Sequence, residues 1–311
     1  MRPALRNTIR EARGLAGPCA TRATAPPGGS LREGRMRYET FYDGKRIPVI
    51  GLGTWTVGGG MSADYSRDAE YVQLVQAALE MGYTHIDTAE MYGAGHAEEL
   101  VGKAVRDYCR ESGIAREELF VTTKVSPSHL GYGDVLEALE RSLHRLGMDY
   151  VDLFLIHWPN SSIPLAETFR ALNELVEKGS AKRVGVSNFD LGQLREACEL
   201  SETPVATNQV EYNLLQRSPR RTGLLDYCRE HDILLTAYEP LGKGRLMRHS
   251  GLAEIAERSG VHPAQLALAW LLRQEKVITI PMSASEMHLR ENLLAPELDL
   301  SEETYAELDA F

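Results

Sequence analysis

The sequence contains few cysteines, no long hydrophobic run and no excess of positive charge. Its four cysteines have neither a CxxC spacing nor any paired spacing, as is typical of reduced thiols in a cytosolic protein (Cys19, Cys109, Cys198 and Cys228). The longest apolar run, near residues 151–158, has the length of a strand, whereas a membrane span needs roughly 18 apolar residues. We therefore expect a cytoplasmic protein without a membrane-spanning segment.

The charge distribution and the histidine pattern argue against two further classes of function. The chain has a net charge of −10, and its first 36 residues contain seven Arg and two Glu, so the remainder is more acidic than the whole. An acidic body is not suited to bind nucleic acid. The nine histidines form no HxH and no HExxH motif, which argues against a hydrolase metal centre. We predict no nucleic-acid partner and no metal site.

Residues 1–35 differ in composition from the rest of the chain. They are rich in Arg, Gly, Pro and Ala and have no helical or strand periodicity, so we expect them to be disordered. Their Arg-rich, acid-poor composition also resembles a transit peptide. We favour the alternative that translation starts at Met36, where the patterning of a globular domain over residues 36–311 begins.

From Met36 onward, short apolar strands alternate with amphipathic helices. Asp43-Gly44 suits a hairpin turn, and eight strands are predicted after it, at 49–52, 83–88, 119–124, 151–157, 182–187, 205–210, 233–238 and 277–280. One of the helices between them is predicted around residues 219–231.

Eight strand and helix units predict a (β/α)8 TIM barrel, an α/β fold in which the N-terminal β-hairpin closes the barrel bottom. A doubly wound open sheet is the alternative. It is disfavoured because Gly51-x-Gly53 is not followed by the spacing of a GxGxxG dinucleotide fingerprint.

Ionisable side chains stand at the ends of three consecutive predicted strands. The strand 83–88 carries Asp87, with Tyr92 just beyond it, and the next two strands end on Lys124 and His157. Because the C-terminal ends of the strands in a parallel barrel share one face, we expect these four side chains to converge in one cleft.

Such a cleft could deliver a proton to a carbonyl oxygen. A phenol has an ordinary pKa near 10, and we expect Lys124 to lower the pKa of Tyr92 while Asp87 keeps Lys124 charged and oriented. His157 could hydrogen-bond the oxygen that receives the proton, and the hydride must come from a cofactor. Taken singly, each residue has a structural alternative: a buried ion pair, a loop aromatic or a packed core histidine.

Several motifs resemble those of the aldo-keto reductase family, from about Met36 to the C-terminus. They are residues 51–55 (GLGTW), 82–93 (GYTHIDTAEMYG), 123–124 (TK), 155–159 (LIHWP), 185–189 (GVSNF), 208–213 (NQVEYN) and 281–292. The resemblance implies that Tyr92 is the proton donor, that Lys124 and Asp87 tune it, and that His157 orients the carbonyl. It also implies a nicotinamide cofactor, NADPH or NADH, bound on the barrel without a Rossmann domain.

The same resemblance implies further site residues. Ser187, Asn188 and Gln209 would bind the carboxamide of the cofactor, and Tyr238 would stack on its nicotinamide ring. The other implied cofactor positions are Gly53, Thr54, Leu241, Gly242, Ser283, His288, Glu291 and Asn292, of which Leu241 and Gly242 belong to a pyrophosphate loop. Trp55 and Trp158 resemble the aromatic residues of the family's substrate pocket, although aromatic residues at such positions are as often simple core.

Two departures from the family pattern bear on specificity. Where the family commonly has Lys and Arg for the 2'-phosphate of NADPH, this chain has Met282 and His288, so we expect dual or NADH-leaning use. Only nineteen residues follow Asn292, so the long C-terminal loop that narrows substrate choice in many members is missing, and we expect an open pocket. Glu239 stands where a small residue is common.

These observations predict an NAD(P)H-dependent oxidoreductase that reduces aldehydes and ketones to alcohols, including sugar-derived and keto-acid-like carbonyls. A small carbonyl compound is the expected partner. No pattern marks an oligomer interface, which leaves the oligomeric state open and a monomer compatible with the sequence. The alternative is a catalytically silent subunit that binds nicotinamide as a redox sensor, and a metal-dependent hydrolase is a third possibility.

Overall fold

A two-stranded hairpin precedes eight parallel strands whose order in the sheet follows the chain. The computed structural model describes residues 36–311, so the expectations for residues 1–35 lie outside the described residues. The hairpin strands are β1 (Tyr38–Thr40) and β2 (Arg46–Pro48). The parallel strands are β3 (Leu52–Gly53), β4 (His85–Asp87), β5 (Phe120–Val125), β6 (Leu153–Ile156), β7 (Val184–Ser187), β8 (Val205–Glu211), β9 (Leu234–Tyr238) and β10 (Val277–Thr279).

The sheet closes on itself through the segment just before β3. Ile50 forms a parallel bridge with Thr279 of β10. The N–H of Gly51 donates to the carbonyl of Thr279 at 2.8 Å, and the N–H of Thr279 donates to the carbonyl of Val49 at 2.8 Å. The first and last strands are therefore hydrogen-bonded neighbours, which confirms the predicted (β/α)8 barrel.

Helices connect the strands and continue beyond β10. They are α1 (Asp68–Glu80), α2 (His96–Ser112), α3 (Tyr132–Leu146), α4 (Leu165–Glu177), α5 (Leu191–Leu200), α6 (Ser218–Arg221), α7 (Leu224–Glu230), α8 (Ser250–Ser259), α9 (Pro263–Leu272), α10 (Glu286–Leu294) and α11 (Glu302–Ala310). None of the helices within residues 36–311 is long and apolar enough to cross a membrane.

The helix predicted over residues 219–231 is in fact two helices. Gly223 lies between α6 and α7 with a left-handed φ of 76°, a conformation that ends one helix and that glycine adopts without steric cost. The prediction of one helix around residues 219–231 was therefore wrong at Gly223, where the structure divides it.

Polar side chains occupy the inside of the barrel at its middle level. The ring of His85 lies 3.3 Å from the hydroxyl of Thr122 on the neighbouring strand. Gly51 makes room for that ring, because a Cβ at this position would lie 2.3 Å from its Nδ1 atom. Asp87 and Lys124 follow two residues later on the same strands. They therefore point to the same side, one layer nearer the C-terminal end of the barrel.

The N-terminal hairpin contacts the starts of the barrel strands. Phe41 stacks on Phe120, the first residue of β5, with ring centroids 5.5 Å apart. Arg183, just before β7, forms an ion pair with Asp43, and Lys276, just before β10, donates to the carbonyl of Thr40 at 2.9 Å. The hairpin thus closes the N-terminal end of the barrel, as predicted.

Candidate active site

A tight turn after β4 brings Tyr92 over the ends of β4 and β5. Gly93 and Ala94 have left-handed backbone conformations, with φ values of 56° and 53°. The N–H of Tyr92 bonds to the carbonyl of Ala89 at 3.1 Å. The chain reverses here, and Tyr92 is left only 9% exposed.

Asp87, Lys124 and Tyr92 form a continuous hydrogen-bonded chain. The Nζ atom of Lys124 lies 2.5 Å from the Asp87 carboxylate, 2.8 Å from the Thr88 carbonyl and 3.2 Å from the Tyr92 hydroxyl. The second Asp87 oxygen accepts a hydrogen bond from the Gln209 side-chain amide at 2.8 Å. All three donors of the buried ammonium therefore have partners.

In the Asp87–Lys124 pair, burial and the opposite charge of the partner shift each pKa in opposite directions. Burial lowers the pKa of Lys124, but the carboxylate of Asp87 and the oxygen of Tyr92 outweigh it, so that the pKa is raised and the amine stays charged. Burial raises the pKa of Asp87, and the bonds from Lys124 and Gln209 oppose that increase. Because both oxygens of Asp87 accept hydrogen bonds, it is the carboxylate partner of the ammonium.

The pKa of Tyr92 is raised, although the sequence predicts that Lys124 lowers it. Burial has the largest effect and outweighs the ammonium of Lys124, while the charges of Asp87 and Glu239 add to the increase. The expectation was wrong for the net shift because a sequence reveals the neighbour of a phenol but not how deeply the phenol is buried. Tyr92 therefore keeps its proton at neutral pH.

His157 lies immediately after β6, and its ring, like that of Trp55, packs edge-on against the ring of Tyr92. The ring centroids of Tyr92 and His157 are 5.5 Å apart, and those of Tyr92 and Trp55 are 5.0 Å apart. Burial and the charge of Lys124 lower the pKa of His157 to about 3, so the ring is neutral. Its buried Nδ1 atom has no hydrogen-bond partner among the described residues.

A cavity of about 760 Å³ opens at the C-terminal ends of the strands. Lys124 does not line the cavity itself, but its ammonium is bonded to two residues that do, Asp87 and Tyr92. Most of the residues that the sequence predicts for the site line this cavity: Gly53, Thr54, Trp55, Asp87, Tyr92, His157, Trp158, Ser187, Asn188, Gln209, Tyr238 and Leu241.

The polar residues at the ends of β7, β8 and β9 are hydrogen-bonded to one another. The Tyr238 hydroxyl donates to the side-chain carbonyl of Asn188 at 2.8 Å, and the Asn188 amide donates to the Ser187 hydroxyl at 3.0 Å. The Ser187 hydroxyl donates to the backbone carbonyl of Gln209 at 2.9 Å. This network fixes a row of amide and hydroxyl groups along one wall of the cavity.

Five residues predicted to bind a cofactor do not line the cavity. They are Gly242, Ser283, His288, Glu291 and Asn292. Gly242 lies between two residues that do line it, Leu241 and Lys243. His288 is exposed on α10, and Asn292 is buried beside Tyr83. The roles assigned to these five residues therefore stay predictions.

The cavity also has lining residues for which the sequence predicts no individual role in the site. They include Met61, Met91, Glu211 and Lys243, together with Glu239, whose role the sequence left open. Glu211 is the last residue of β8 and Glu239 follows β9 directly, so their positions at strand ends were the available signal. No comparable signal marks Met61, which lies in the long connection between β3 and α1.

The chain matches the Aldo/keto reductase family over residues 49–311. It is 40% identical to the glyoxal reductase of Bacillus subtilis over 272 residues, which cover 87% of this chain and 91% of that protein. The crystal structure of the thermostable aldo-keto reductase Tm1743 with the inhibitor epalrestat superposes with a TM-score of 0.84 and 48% identity, covering 88% of this chain and 99% of that one.

A second similar structure is an aldo/keto reductase from Klebsiella pneumoniae in complex with NADP and acetate. It has a TM-score of 0.77 and 38% identity and covers 87% of this chain and 93% of that one. The match to the family, over residues 49–311, includes the segments that carry Asp87, Tyr92, Lys124 and His157. The chain belongs to the aldo/keto reductase family.

Proposed function

We propose that the chain reduces small carbonyl compounds, aldehydes above all, to alcohols. The observation that carries the proposal is the Tyr92 hydroxyl, which lines the cavity and lies 3.2 Å from the ammonium of Lys124. Membership of the family and the similarity to a glyoxal reductase support the same reaction class.

Tyr92 donates the proton to the carbonyl oxygen of the substrate. Its raised pKa keeps the donor protonated until the oxygen becomes basic, and the buried ammonium of Lys124 then stabilises the phenolate that is left. Asp87 holds that ammonium at 2.5 Å. The neutral ring of His157 carries one N–H, which can hydrogen-bond the same substrate oxygen and orient it.

A nicotinamide cofactor, when bound, supplies the hydride that no side chain of the site can supply. The wall of amide and hydroxyl groups formed by Ser187, Asn188 and Gln209 fits the carboxamide of such a cofactor, and Tyr238 offers a ring for stacking. The K. pneumoniae structure contains NADP. We propose that the same wall of this chain holds a nicotinamide cofactor.

We further propose that this chain accepts NADH as well as NADPH. The two positions expected to hold cations for a 2'-phosphate are Met282 and His288, and neither is a permanent cation. Dissociation constants for both cofactors, measured by protein fluorescence, and kcat/KM for both will test this. A preference for NADPH above about a hundredfold, equivalent to about 2.7 kcal/mol, would contradict the proposal.

The function itself is tested with glyoxal as substrate and the Tyr92→Phe variant. We expect wild-type turnover, an unchanged affinity of the variant for the cofactor, and a loss of kcat of about 10²-fold to 10⁴-fold in the variant. The matched control is Tyr38→Phe, in the hairpin at the opposite end of the barrel. Cofactor binding by the wild type without any tyrosine-dependent turnover would instead support the redox-sensing alternative.

A further inference from the structure

We infer that the part of the cavity with apolar side chains, which would hold the body of the substrate, selects aldehydes with an uncharged apolar body. We also infer that Met61 is a specificity-determining residue in this part of the cavity. This inference rests on the proposed function. Four apolar side chains line that part of the cavity: Trp55, Met61, Met91 and Trp158. Three of them are exposed, with 40%, 63% and 47% of the surface of Trp55, Met61 and Trp158 in contact with solvent.

Met61 is held at the cavity by a compact loop and not by a free segment. The N–H of Gly93 donates to the carbonyl of Gly60 at 2.7 Å, so the residue before Met61 is bonded to the residue after Tyr92. The N–H of Asp64 donates to the carbonyl of Gly58 at 2.8 Å. Gly93 permits this close approach, because a Cβ there would lie 2.5 Å from the carbonyl oxygen of Gly58.

The charged residues that line the cavity at the ends of β8 and β9 are paired. Lys243 lies 3.0 Å from Glu239, and Arg245 lies 3.7 Å from Glu211, at the ends of β8 and β9. The ammonium of Lys124, which does not line the cavity, is bonded to Asp87, which does. Among the described residues that line the cavity, therefore, no unpaired cation faces the four apolar side chains.

The affinity of this part of the cavity for a substrate therefore depends on whether the end of the substrate away from the aldehyde is apolar or charged. An apolar body covers exposed tryptophan and methionine surface, which is favourable in proportion to the apolar area removed from water. A carboxylate at the same place would lose water without gaining a cation, and such a group is costly to desolvate. The keto-acid substrates expected from the sequence are therefore disfavoured by this wall.

The test compares 4-methylbenzaldehyde with 4-carboxybenzaldehyde, which differ mainly in the charge at the end away from the aldehyde. We expect wild-type kcat/KM to favour the methyl compound by about tenfold or more. The Met61→Lys variant supplies the missing cation and should narrow that preference by about threefold or more, chiefly through KM for the carboxylate.

The matched control is Met287→Lys, which makes the same change of charge at an equally exposed methionine on α10 that does not line the cavity. Equal kcat/KM values of the wild type for the two benzaldehydes, or equal effects of Met61→Lys and Met287→Lys, would overturn the inference while leaving the proposed function intact. A lack of turnover with glyoxal and with both benzaldehydes would contradict the proposed function and, with it, this inference.

Discussion

At the scale of single residues, the site depends on a phenol that keeps its proton and an ammonium that cannot lose its own. Burial raises the pKa of Tyr92, and the neighbouring carboxylate and phenol oxygen raise that of Lys124. Both groups are therefore in the protonated form that proton donation requires across the neutral range. In the proposed reaction, the ammonium of Lys124 stabilises the negative charge that develops on Tyr92 during proton transfer.

Replacing Lys124 tests this assignment. In Lys124→Met, the phenolate left on Tyr92 loses its stabilising charge, so we expect kcat for aldehyde reduction to fall by about 10²-fold to 10⁴-fold. Because the variant also leaves Asp87 buried without its ion partner, it should be measured together with Asp87→Asn/Lys124→Met, which removes both charges. A double variant that folds and keeps wild-type kcat would contradict the role of Lys124.

The pH dependence follows from the same shifts. Since the pKa of Tyr92 lies above its ordinary value of 10.0, the acid form persists through the neutral and mildly alkaline range. We expect kcat for aldehyde reduction by the wild type to be flat between about pH 7 and about pH 9. A loss of kcat centred within that range, absent from the pH profile of cofactor binding, would show that a different group donates the proton.

At the scale of secondary-structure elements, His96 connects the first two helices beside the site. It is the first residue of α2, and its ring nitrogens lie 2.8 Å from Asp68, the first residue of α1, and 2.7 Å from Glu99. The ring also lies against Tyr65, with centroids 4.2 Å apart. Because both nitrogens face carboxylates, the imidazolium form satisfies both hydrogen bonds at once.

This arrangement makes the stability of the protein depend on pH. Burial lowers the pKa of His96, but Glu99 and Asp68 outweigh it and raise the pKa above 6.5, and Asp64 also faces the ring. A raised folded-state pKa contributes stability that is fully present below the unfolded value and is lost as the pH rises through the folded value. We expect a contribution of about 1 kcal/mol or less, since Asp68 and Glu99 are more than one-third exposed.

Urea unfolding at pH 6 and pH 9 measures this contribution. The wild type should lose more free energy of unfolding between the two pH values than His96→Gln does. The exposed His144 on α3 provides the control, because His144→Gln should lose as much as the wild type. The same pH dependence in the wild type and in His96→Gln would contradict the proposed link.

At the scale of the whole molecule, the N-terminal hairpin and the cavity lie at opposite ends of the barrel. The hairpin contacts the N-terminal ends of β5, β7 and β10 through Phe41, Asp43 and Thr40. The cavity lies at the C-terminal ends of the strands. Many substitutions at one end should therefore change one property and leave the other unchanged.

Phe41→Ala tests this separation. Phe41 is 2% exposed and stacks on Phe120, so its removal leaves a cavity and should cost about 3–5 kcal/mol of unfolding free energy. Measured below the unfolding transition, kcat for aldehyde reduction should stay close to that of the wild type. Tyr38→Ala, at a residue 42% exposed in the same hairpin, should change stability far less. A large fall in kcat of the folded Phe41→Ala variant would contradict the separation.

The sequence by itself determined the alternation of strands and helices, because residues with a two-residue or a 3.6-residue hydrophobic period lie close together along the chain. It also determined which side chains stand at the strand ends, and parallel pairing then brings Asp87, Lys124 and Tyr92 together. The motifs around these residues carried the resemblance to the family. These features depend on the order of residues along short stretches of the chain and on the rule that the C-terminal ends of parallel barrel strands share one face.

Only the tertiary structure decided the properties that depend on distance and burial. The net pKa shift of Tyr92 depends on how much protein surrounds the phenol, and the placement of Met61 at the cavity depends on a hydrogen bond between Gly60 and Gly93, which are 33 positions apart. The pairing of Lys243 with Glu239 likewise depends on side-chain placement at a strand end. Electrostatic energies vary with position inside a protein, and a linear pattern of residues does not contain that information.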